Sequence, residues 1–317
     1  MAARKSNLLR PPAVPPNARF SIIAPASLAQ PDRIDGGLDN LRALGFDPVP
    51  ARYALERGPL YFAGTPEQRT SDLHSAFADP ATVAVMCLRG GYGSNYLLEN
   101  LNFELIASHP KPLFGYSDLT GIQLHLLDKL GLPVFHGPMV AADFYLTEGI
   151  HLESFRAALA GDTFALGAAE GLRLLKPGKK SSVQGTLYGG CLSIIASLLG
   201  TPWEPQTEGK LLFLEDTGVK PYQVDRMIWQ LRSAKKFDGV RGIIFGEMLD
   251  CASPGMPPGL LENAILSALD GFDGPIAFGL RSGHVSRENV TLTFGVRAEL
   301  NAATTTRLHI LEPAVTR

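Results

Sequence analysis

Cysteine is scarce in this 317-residue sequence, which contains only Cys87, Cys191 and Cys251. The three residues lie far apart, and none of them belongs to a C-x-x-C pair. An odd and sparse set of this kind is typical of reduced thiols in a cytosolic protein. The sequence therefore gives no support for a disulfide framework or a zinc site.

Excess charge and long apolar runs are also missing. The 29 basic and 31 acidic side chains leave a formal net charge of −2, so neither nucleic acid nor an anionic membrane is expected as a partner. No stretch reaches the roughly 18 consecutive apolar residues of a membrane span. Prolines follow the basic first residues, where a signal peptide would need its apolar core. We therefore expect a cytoplasmic protein with a loose extension over residues 1–18.

Strand and helix patterns alternate along the first half of the sequence. Strands that alternate with helices predict crossover connections and a parallel sheet that is covered on both faces. Sites in such sheets form in the loops beyond the carboxyl ends of the strands. The predicted strands are 19–24, 83–88, 111–114 and 132–135, and the predicted helices are 31–44, 66–77, a short one around 96–98, and 119–130.

The alternation of strand and helix patterns stops between residues 161 and 182, where Gly, Ala and Lys are frequent. This composition predicts a solvated linker. We therefore predict two α/β domains, a parallel-sheet domain over residues 1–165 and a second domain with a mixed or antiparallel sheet over residues 166–317. The second half is predicted to contain helices at 191–199, 222–235 and 260–269, and strands at 210–214, 241–245, 290–294 and 306–310.

Ser117 lies where a strand pattern gives way to a helical one, in Gly115-Tyr116-Ser117-Asp118-Leu119-Thr120. A serine on such a turn projects its hydroxyl above the sheet edge, close to the next backbone N–H and the positive end of the helix. This placement suits a nucleophile, although the G-x-S-x-G pattern would require glycine at Leu119. The alternative is that Ser117 or Asp118 only caps the helix.

A nucleophilic serine needs a base, and the base needs a group that orients it. Among the seven histidines, His284 follows Gly283 on a loop after an apolar run, and His136 follows a strand on the same side of the sheet. For either residue the alternative is a structural role, which for His136 is a hydrogen bond to a loop carbonyl. The acid candidates are Glu215, at the end of an apolar strand pattern, and Glu247, whereas Asp216 is expected to cap the following turn.

The segment Arg89-Gly90-Gly91-Tyr92-Gly93 joins a predicted buried strand to a helix. A dinucleotide-binding turn read from Gly91 would require glycine at Tyr96. Its three glycines can instead let backbone N–H groups approach a ligand, as an oxyanion hole or an anion nest requires. Arg89 leads out of the predicted strand into this loop, where it either supplies a fixed positive charge for a ligand or braces the loop.

In their order and identity, these segments resemble the LD-carboxypeptidases, which are serine peptidases of peptidoglycan recycling, and the related microcin-C immunity carboxypeptidases. The resemblance covers nearly the whole chain after its first residues. It rests on Ile23-Ala24-Pro25-Ala26-Ser27, Leu88-Arg89-Gly90-Gly91-Tyr92-Gly93, Gly115-Tyr116-Ser117-Asp118-Leu119-Thr120, Phe135-His136-Gly137-Pro138, Leu214-Glu215-Asp216 and Gly283-His284.

The resemblance implies a Rossmann-like, class I amidotransferase-like first domain that carries the nucleophile, and a second domain that carries the other catalytic groups. It also implies that the enzyme uses no cofactor and no metal and forms a homodimer. The implied catalytic residues are Ser117, His284 and Glu215, with oxyanion donors from Gly91 and Asp118; Arg89 and Tyr92 are the candidate substrate contacts.

The expected reaction is hydrolysis of the L,D-peptide bond that releases terminal D-alanine from murein tetrapeptides. One alternative keeps the chemistry but takes a peptidyl-nucleotide antibiotic of the microcin-C type, and another is a non-catalytic protein that binds peptidoglycan fragments. Tyr96 departs from the arginine that many members carry there. Asn95 after Ser94 resembles the sequence of the immunity branch at this position, whereas Arg89-Gly90-Gly91-Tyr92-Gly93 favours the murein branch.

Overall fold

The structure, a computed structural model, describes residues 8–252, 255–303 and 305–317. Its helices are α1 (Pro31–Ala43), α2 (Pro66–Ala78), α3 (Phe103–Ser108), α4 (Thr120–Leu130), α5 (Leu152–Ala160), α6 (Leu192–Ser197), α7 (Pro221–Ser233) and α8 (Leu260–Ala268). Its strands are β1 (Arg19–Ile23), β2 (Asp47–Pro50), β3 (Ala84–Cys87), β4 (Leu113–Gly115), β5 (Val134–His136), β6 (Ala165–Leu166), β7 (Arg173–Lys176), β8 (Ser182–Cys191), β9 (Lys210–Glu215), β10 (Gly242–Gly246), β11 (Ile276–Leu280), β12 (Leu292–Phe294), β13 (Arg297–Asn301) and β14 (Arg307–Ile310).

A six-stranded sheet forms the first layer, in the order β12-β5-β4-β3-β1-β2. The strands from β5 to β2 run parallel, which confirms the parallel sheet expected from the strand–helix alternation. β12 comes from the C-terminal part of the chain and pairs antiparallel with β5, with Leu292 opposite His136. The edge of the first sheet therefore depends on a strand from the second half of the sequence.

An eight-stranded sheet forms in the second half, in the order β6-β14-β13-β8-β9-β10-β11-β7. Its central strands β8, β9, β10 and β11 are parallel, and the outer strands on both sides are antiparallel. The predicted mixed sheet is thus confirmed. The predicted helices and strands are present with ends that shift by about two residues at most, the usual spread at element boundaries. The short helix predicted around residues 96–98 is a 3₁₀ helix, Ser94–Asn100.

The prediction of a solvated linker over residues 161–182 is wrong. This segment contains β6, which pairs with β14, and β7, which pairs with β11. Both are edge strands. In β7, Arg173 is exposed and the other three residues are only partly buried, so the segment lacks the fully buried apolar pattern of a central strand. The domain boundary near residue 165 stays a prediction.

The sequence also gave no signal for β2, which has the sequence Asp-Pro-Val-Pro. Proline cannot donate to a strand partner, and β2 tolerates two prolines because it lies at the edge of the first sheet. No helix within the described ranges is long and apolar enough to cross a membrane.

Helix α1 packs closely on a π-helical turn at Val140–Phe144. Asn40 of α1 donates a 2.6 Å hydrogen bond to the carbonyl of Phe144. A Cβ atom at Gly37 would lie 2.2 Å from the Val140 carbonyl oxygen, so glycine is required for this approach. At the preceding Gly36, the nearest atom to an added Cβ would be 3.7 Å away.

Replacing these two glycines should therefore have opposite effects. Gly36→Ala is expected to stabilise the protein by about 0.5–1 kcal/mol, because alanine loses less backbone entropy in a helix than glycine does. Gly37→Ala is expected to destabilise it by about 1–3 kcal/mol, because the new methyl group meets rigid backbone. Urea unfolding of both variants measures the difference, and equal stability of the two would contradict the packing of α1 described above.

Candidate active site

Ser117 begins a 3₁₀ turn, Ser117–Leu119, that directly joins β4 to α4. Its φ angle is 63°, in the left-handed region that residues other than glycine rarely adopt. Strain of this kind is typical of the sharp strand-to-helix turn that presents a nucleophile. No side-chain capping bond is formed at the start of this turn or of α4, so the capping alternative is not supported for Ser117.

His284 and Glu215 form a direct pair. Nδ1 of His284 lies 2.8 Å from Oε2 of Glu215, and the backbone N–H of His284 donates to the same oxygen at 3.0 Å. Glu215 is the last residue of β9 and is fully buried. A Cβ at Gly283, whose φ is 89°, would lie 2.5 Å from the Glu215 carboxyl carbon, so glycine is needed for the loop to approach.

The other two acids have different partners. Glu247 accepts a hydrogen bond from the backbone N–H of Ser286 at 3.1 Å, and no bond joins it to His284 in the described part of the chain. Asp216 accepts from the backbone N–H groups of Thr217 and Ser193, as expected for a residue that caps the turn after β9. Of the acid candidates, the geometry therefore pairs Glu215 with the histidine.

The two charges control each other's protonation. Burial alone would raise the pKa of Glu215, but the charge of His284, the neighbouring His136 and the His284 hydrogen bond lower that pKa below its usual range. Burial alone would lower the pKa of His284, but the charge of Glu215 and the shared hydrogen bond raise it above its usual value. An Nδ1–H group held by the carboxylate leaves Nε2 of His284 as the nitrogen that can accept a proton.

Ser117 and His284 line the same cavity, which has a volume of about 440 Å³. Ser117 is half-buried there, and no hydrogen bond links its hydroxyl to His284 among the described residues. Catalytic hydrogen bonds are often long without substrate and shorten in the reacting complex. The same cavity is also lined by Arg33, Arg89, Gly90, Gly91 and Tyr116.

The Gly-rich loop lies directly against the serine. A Cβ at Gly90 would be 2.9 Å from Cβ of Ser117, which only glycine avoids. The N–H groups of Gly91 and Asp118 donate to no protein acceptor within the ranges the structure covers. Two backbone donors beside a serine hydroxyl can stabilise a negatively charged oxygen.

Arg69, which the sequence did not single out, braces this loop. Its buried guanidinium donates from Nη1 to the carbonyl oxygens of Pro25 at 2.7 Å and Gly93 at 2.8 Å, and lies 4.9 Å from the centre of the Phe62 ring. Arg89 is only half-buried in the Ser117 cavity and has no ion pair with a described carboxylate. The bracing alternative considered for Arg89 therefore describes Arg69 instead.

Two further contacts fix the loop. The hydroxyl of Ser27 accepts from the Tyr92 N–H at 3.0 Å and lies 3.3 Å from the Tyr92 carbonyl oxygen. The carboxylate of Asp118 accepts from the Ser94 N–H at 2.8 Å, and the Ser94 hydroxyl donates to the carbonyl of Asp118. The side chain of Asp118 thus holds the loop and is not a helix cap.

Tyr92 is not among the residues that line the Ser117 cavity. Its side chain is exposed and lines a second cavity of about 430 Å³ together with Tyr96 and Trp203. The Tyr92 ring packs near Tyr61, Phe62 and Tyr96, with ring centres about 6 Å apart. A substrate contact by Tyr92 stays a prediction, and it would involve a part of the ligand that lies beyond the Gly-rich loop.

A buried network that sequence patterns did not reveal joins the two halves behind the site. Asp143 accepts hydrogen bonds from the Met139 N–H at 2.8 Å and from the Asn289 side chain at 3.0 Å, and the Tyr116 hydroxyl lies 3.3 Å from it. Asn289 in turn accepts from the Gly283 N–H, which fixes the loop before His284. Burial raises the pKa of Asp143 to about 7, although the hydrogen bonds oppose this rise. Neither Asp143 nor Asn289 belongs to a recognisable motif.

The mutual charge effect predicts how His284 will titrate. Glu215→Gln should lower the pKa of His284, because a neutral amide replaces the carboxylate that favours the imidazolium. NMR titration of the imidazole signals measures this change. Glu247→Gln is the matched control, and an unchanged pKa of His284 in Glu215→Gln would contradict the pairing.

Comparison with known proteins identifies a family for both halves of the chain. Residues 21–137 match the model of the LD-carboxypeptidase N-terminal domain, and residues 184–300 match that of the LD-carboxypeptidase C-terminal domain. A probable murein peptide carboxypeptidase of Bacillus subtilis is 35% identical over 305 residues, which cover 93% of this chain and 92% of that protein.

Two further similarities concern proteins with different described roles. The microcin C7 self-immunity protein MccF of Escherichia coli is 28% identical and covers 89% of each chain; a solved structure of MccF has a TM-score of 0.87 at 24% identity over 97% of this chain and 100% of that chain. The muramoyltetrapeptide carboxypeptidase of Oxalobacter formigenes has a TM-score of 0.80 at 28% identity, over 92% of this chain and 98% of that chain. On these matches, the chain belongs to the LD-carboxypeptidase family.

Proposed function

We propose that this protein is a serine carboxypeptidase that releases terminal D-alanine from murein tetrapeptides by hydrolysing an L,D-peptide bond. One observation carries the proposal: a histidine bonded to a buried carboxylate at 2.8 Å shares a cavity with a serine on a positive-φ turn. Relatives named for murein peptides support the substrate class. The expected dimer and the cytoplasmic location belong to the same proposal.

In the first half of the reaction, Oγ of Ser117 attacks the carbonyl carbon of the scissile bond while Nε2 of His284 takes the hydroxyl proton. The N–H groups of Gly91 and Asp118 donate to the resulting oxyanion. Glu215 holds the imidazole in the required tautomer and stabilises its cation. The bond to nitrogen then breaks, and D-alanine leaves with the proton that His284 returns to its amine.

In the second half, a water molecule attacks the acyl-serine. His284 takes the proton of that water and gives it to the departing Ser117 oxygen, so the tripeptide leaves with a free carboxylate and the enzyme is regenerated. The Glu215 carboxylate raises the pKa of His284, which favours the imidazolium that forms when the histidine takes a proton in either half of the reaction.

A peptidase that removes a single terminal residue must recognise the chain end. Arg89 lines the cavity next to the proposed oxyanion donors and has no protein carboxylate as its partner among the described residues. A guanidinium pairs with a carboxylate through two parallel hydrogen bonds, which an amide cannot reproduce. Arg33 lines the same cavity and is the second candidate for this role.

Ser117→Ala should lower kcat for D-alanine release by a factor on the order of 10⁴–10⁶, and His284→Ala should cost a similar factor, because a triad acts as a unit. Folding should be unaffected, since the Ser117 hydroxyl makes no bond recorded in the described chain. Ser108→Ala, at an exposed hydroxyl bonded only within α3, serves as control. Near-full activity of Ser117→Ala would exclude this nucleophile.

Amidation of the D-alanine carboxylate should lower kcat/KM of the wild-type enzyme by about 10- to 100-fold, the value of a charge-assisted hydrogen bond. In Arg89→Ala this preference for the free acid should disappear through a raised KM, with the melting temperature unchanged. Arg33→Ala is the matched comparison. Loss of the preference in Arg33→Ala alone would move the role to Arg33, and equal cleavage of acid and amide by the wild type would exclude recognition by charge.

The relationship to MccF supports a second candidate substrate for the same catalytic groups, a peptidyl-nucleotide antibiotic. Mass-spectrometric analysis of products from a murein tetrapeptide and from a processed microcin-type nucleotide distinguishes the two. Release of D-alanine from the tetrapeptide supports the main proposal. Cleavage of the nucleotide alone supports the alternative, and binding of peptidoglycan fragments without cleavage of either would indicate a non-catalytic binding protein.

A further inference from the structure

A second histidine lies on the other side of Glu215, and the reaction proposed above does not use it. His136 is the last residue of β5 and is fully buried. Its Nδ1 lies 3.1 Å from the hydroxyl oxygen of Ser282, and its Nε2 lies 3.8 Å from Oε1 of Glu215. The bond to a serine hydroxyl replaces the bond to a loop carbonyl that the sequence suggested.

The Ser282 hydroxyl determines which proton His136 carries on Nδ1. This hydroxyl donates to the carbonyl oxygen of Val290 at 2.8 Å, and the carbonyl has no hydrogen to give in return. The single hydroxyl hydrogen is therefore used, and the oxygen can only accept from His136. Both hydrogen bonds are satisfied together only if Nδ1 of His136 is protonated.

The opposite ring nitrogen then decides the charge. Nε2 of His136 and Oε1 of Glu215 are both buried, and neither has a hydrogen-bond partner among the residues that the structure describes. If Nε2 were unprotonated, two electron-rich atoms that are buried from solvent would face each other, and neither would gain a hydrogen bond from the other. A proton on Nε2 gives the histidine a positive charge that is directed at the carboxylate.

We propose that His136 is a positioning residue that holds the second carboxylate oxygen of Glu215 as a doubly protonated imidazolium. Glu215 then lies between two histidines, with Oε2 bound to His284 and Oε1 facing His136. The 3.8 Å separation is longer than a hydrogen bond, so the interaction in this structure is that of a buried ion pair.

The surroundings of His136 make Glu215 its main charged partner. Among the described residues, Glu215 faces it from β9, and the ring centre of Tyr116, on the turn after β4, lies 5.9 Å away. The remaining walls are the rings of Phe213 on β9 at 5.3 Å and Phe294 on β12 at 5.2 Å. Apolar walls strengthen the attraction between the two buried charges, because little solvent screens it.

A positive His136 would also adjust the base. The carboxylate of Glu215 favours the protonated form of His284, whereas a second cation close to that carboxylate opposes this effect. The role of His136 is then to keep Glu215 charged and fixed while leaving His284 neutral enough to accept a proton. This consequence rests on the proposed function, but the protonation state of His136 does not.

NMR spectroscopy of the ¹⁵N-labelled imidazole rings in the free wild-type protein tests the protonation state directly. In neutral buffer we expect both ring nitrogens of His136 to be protonated, with the signal assigned by its absence from His136→Phe. In Glu215→Gln, where the facing charge is gone, His136 should carry one proton only. A His136 with a lone pair on Nε2 in the wild type would overturn the proposal, whether or not the protein releases D-alanine.

Kinetics test the positioning role. His136→Phe should lower kcat by about 10-fold or more and move the acidic limb of kcat/KM upward by about one pH unit, because loss of a nearby positive charge raises the pKa of the base. His136→Gln, which restores a neutral N–H donor, should recover part of kcat while the limb stays shifted. His125→Phe, at a buried histidine that packs on Phe103, is the matched control for folding. If the acidic limb of kcat/KM does not move in either His136 variant, His136 is a structural residue and the positioning role is wrong. If His136→Phe does not fold, the kinetics of His136→Gln and the wild-type NMR spectrum still test the proposal.

Discussion

The carboxylate of Glu215 is fully buried, and a buried charge is costly unless charged or hydrogen-bonding groups compensate it. The chain supplies them by bringing the loop after β11 against the end of β9, so that both the side chain and the backbone N–H of His284 bind one oxygen. Gly283 permits this approach because any side chain would meet the carboxyl group. The orientation of the base thus depends on the packing of two neighbouring loops at the ends of parallel strands.

The buried charge of Glu215 also has a neighbour that comes from the first sheet. β12 leaves the second half of the sequence and completes the first sheet next to β5, which places His136 beside Glu215. The Asp143–Asn289 bond and the His136–Ser282 bond cross between the halves in the same region. Ser117 lies on the turn after β4 of the first sheet, and His284 lies on the loop after β11 of the second sheet. These buried contacts therefore fix the relative position of the nucleophile and the base. Without them, the cavity would have no defined geometry, since a misplacement of about 1 Å is enough to slow catalysis strongly.

The Gly-rich loop contains flexible glycines, but side chains from other parts of the fold hold its backbone in one position. Its glycines allow the backbone to lie against Ser117, but glycine by itself does not order a chain. Order comes from Arg69, Ser27 and Asp118, which bind the loop through its carbonyl and N–H groups. Arg69 therefore fills the bracing role that was considered for Arg89. The sequence did not indicate this role, because the partners of Arg69 are backbone atoms that are distant in the chain.

The sequence by itself determined the elements whose signal is local. Apolar periodicity predicted the central strands and most helices, and the segments around Ser117, Glu215, His284 and the Gly-rich loop predicted which residues would meet at the carboxyl ends of the strands. Edge strands such as β7 were not predicted, because residues that are exposed or only partly buried show no clear apolar pattern. The residue patterns alone left open which acid binds His284, although the family resemblance implied Glu215, and the tertiary structure shows that contact. Only the tertiary structure revealed which arginine braces the loop and what lies behind Glu215. These are contacts between residues far apart in the chain, and their identity depends on distances of a few ångströms that no local pattern encodes.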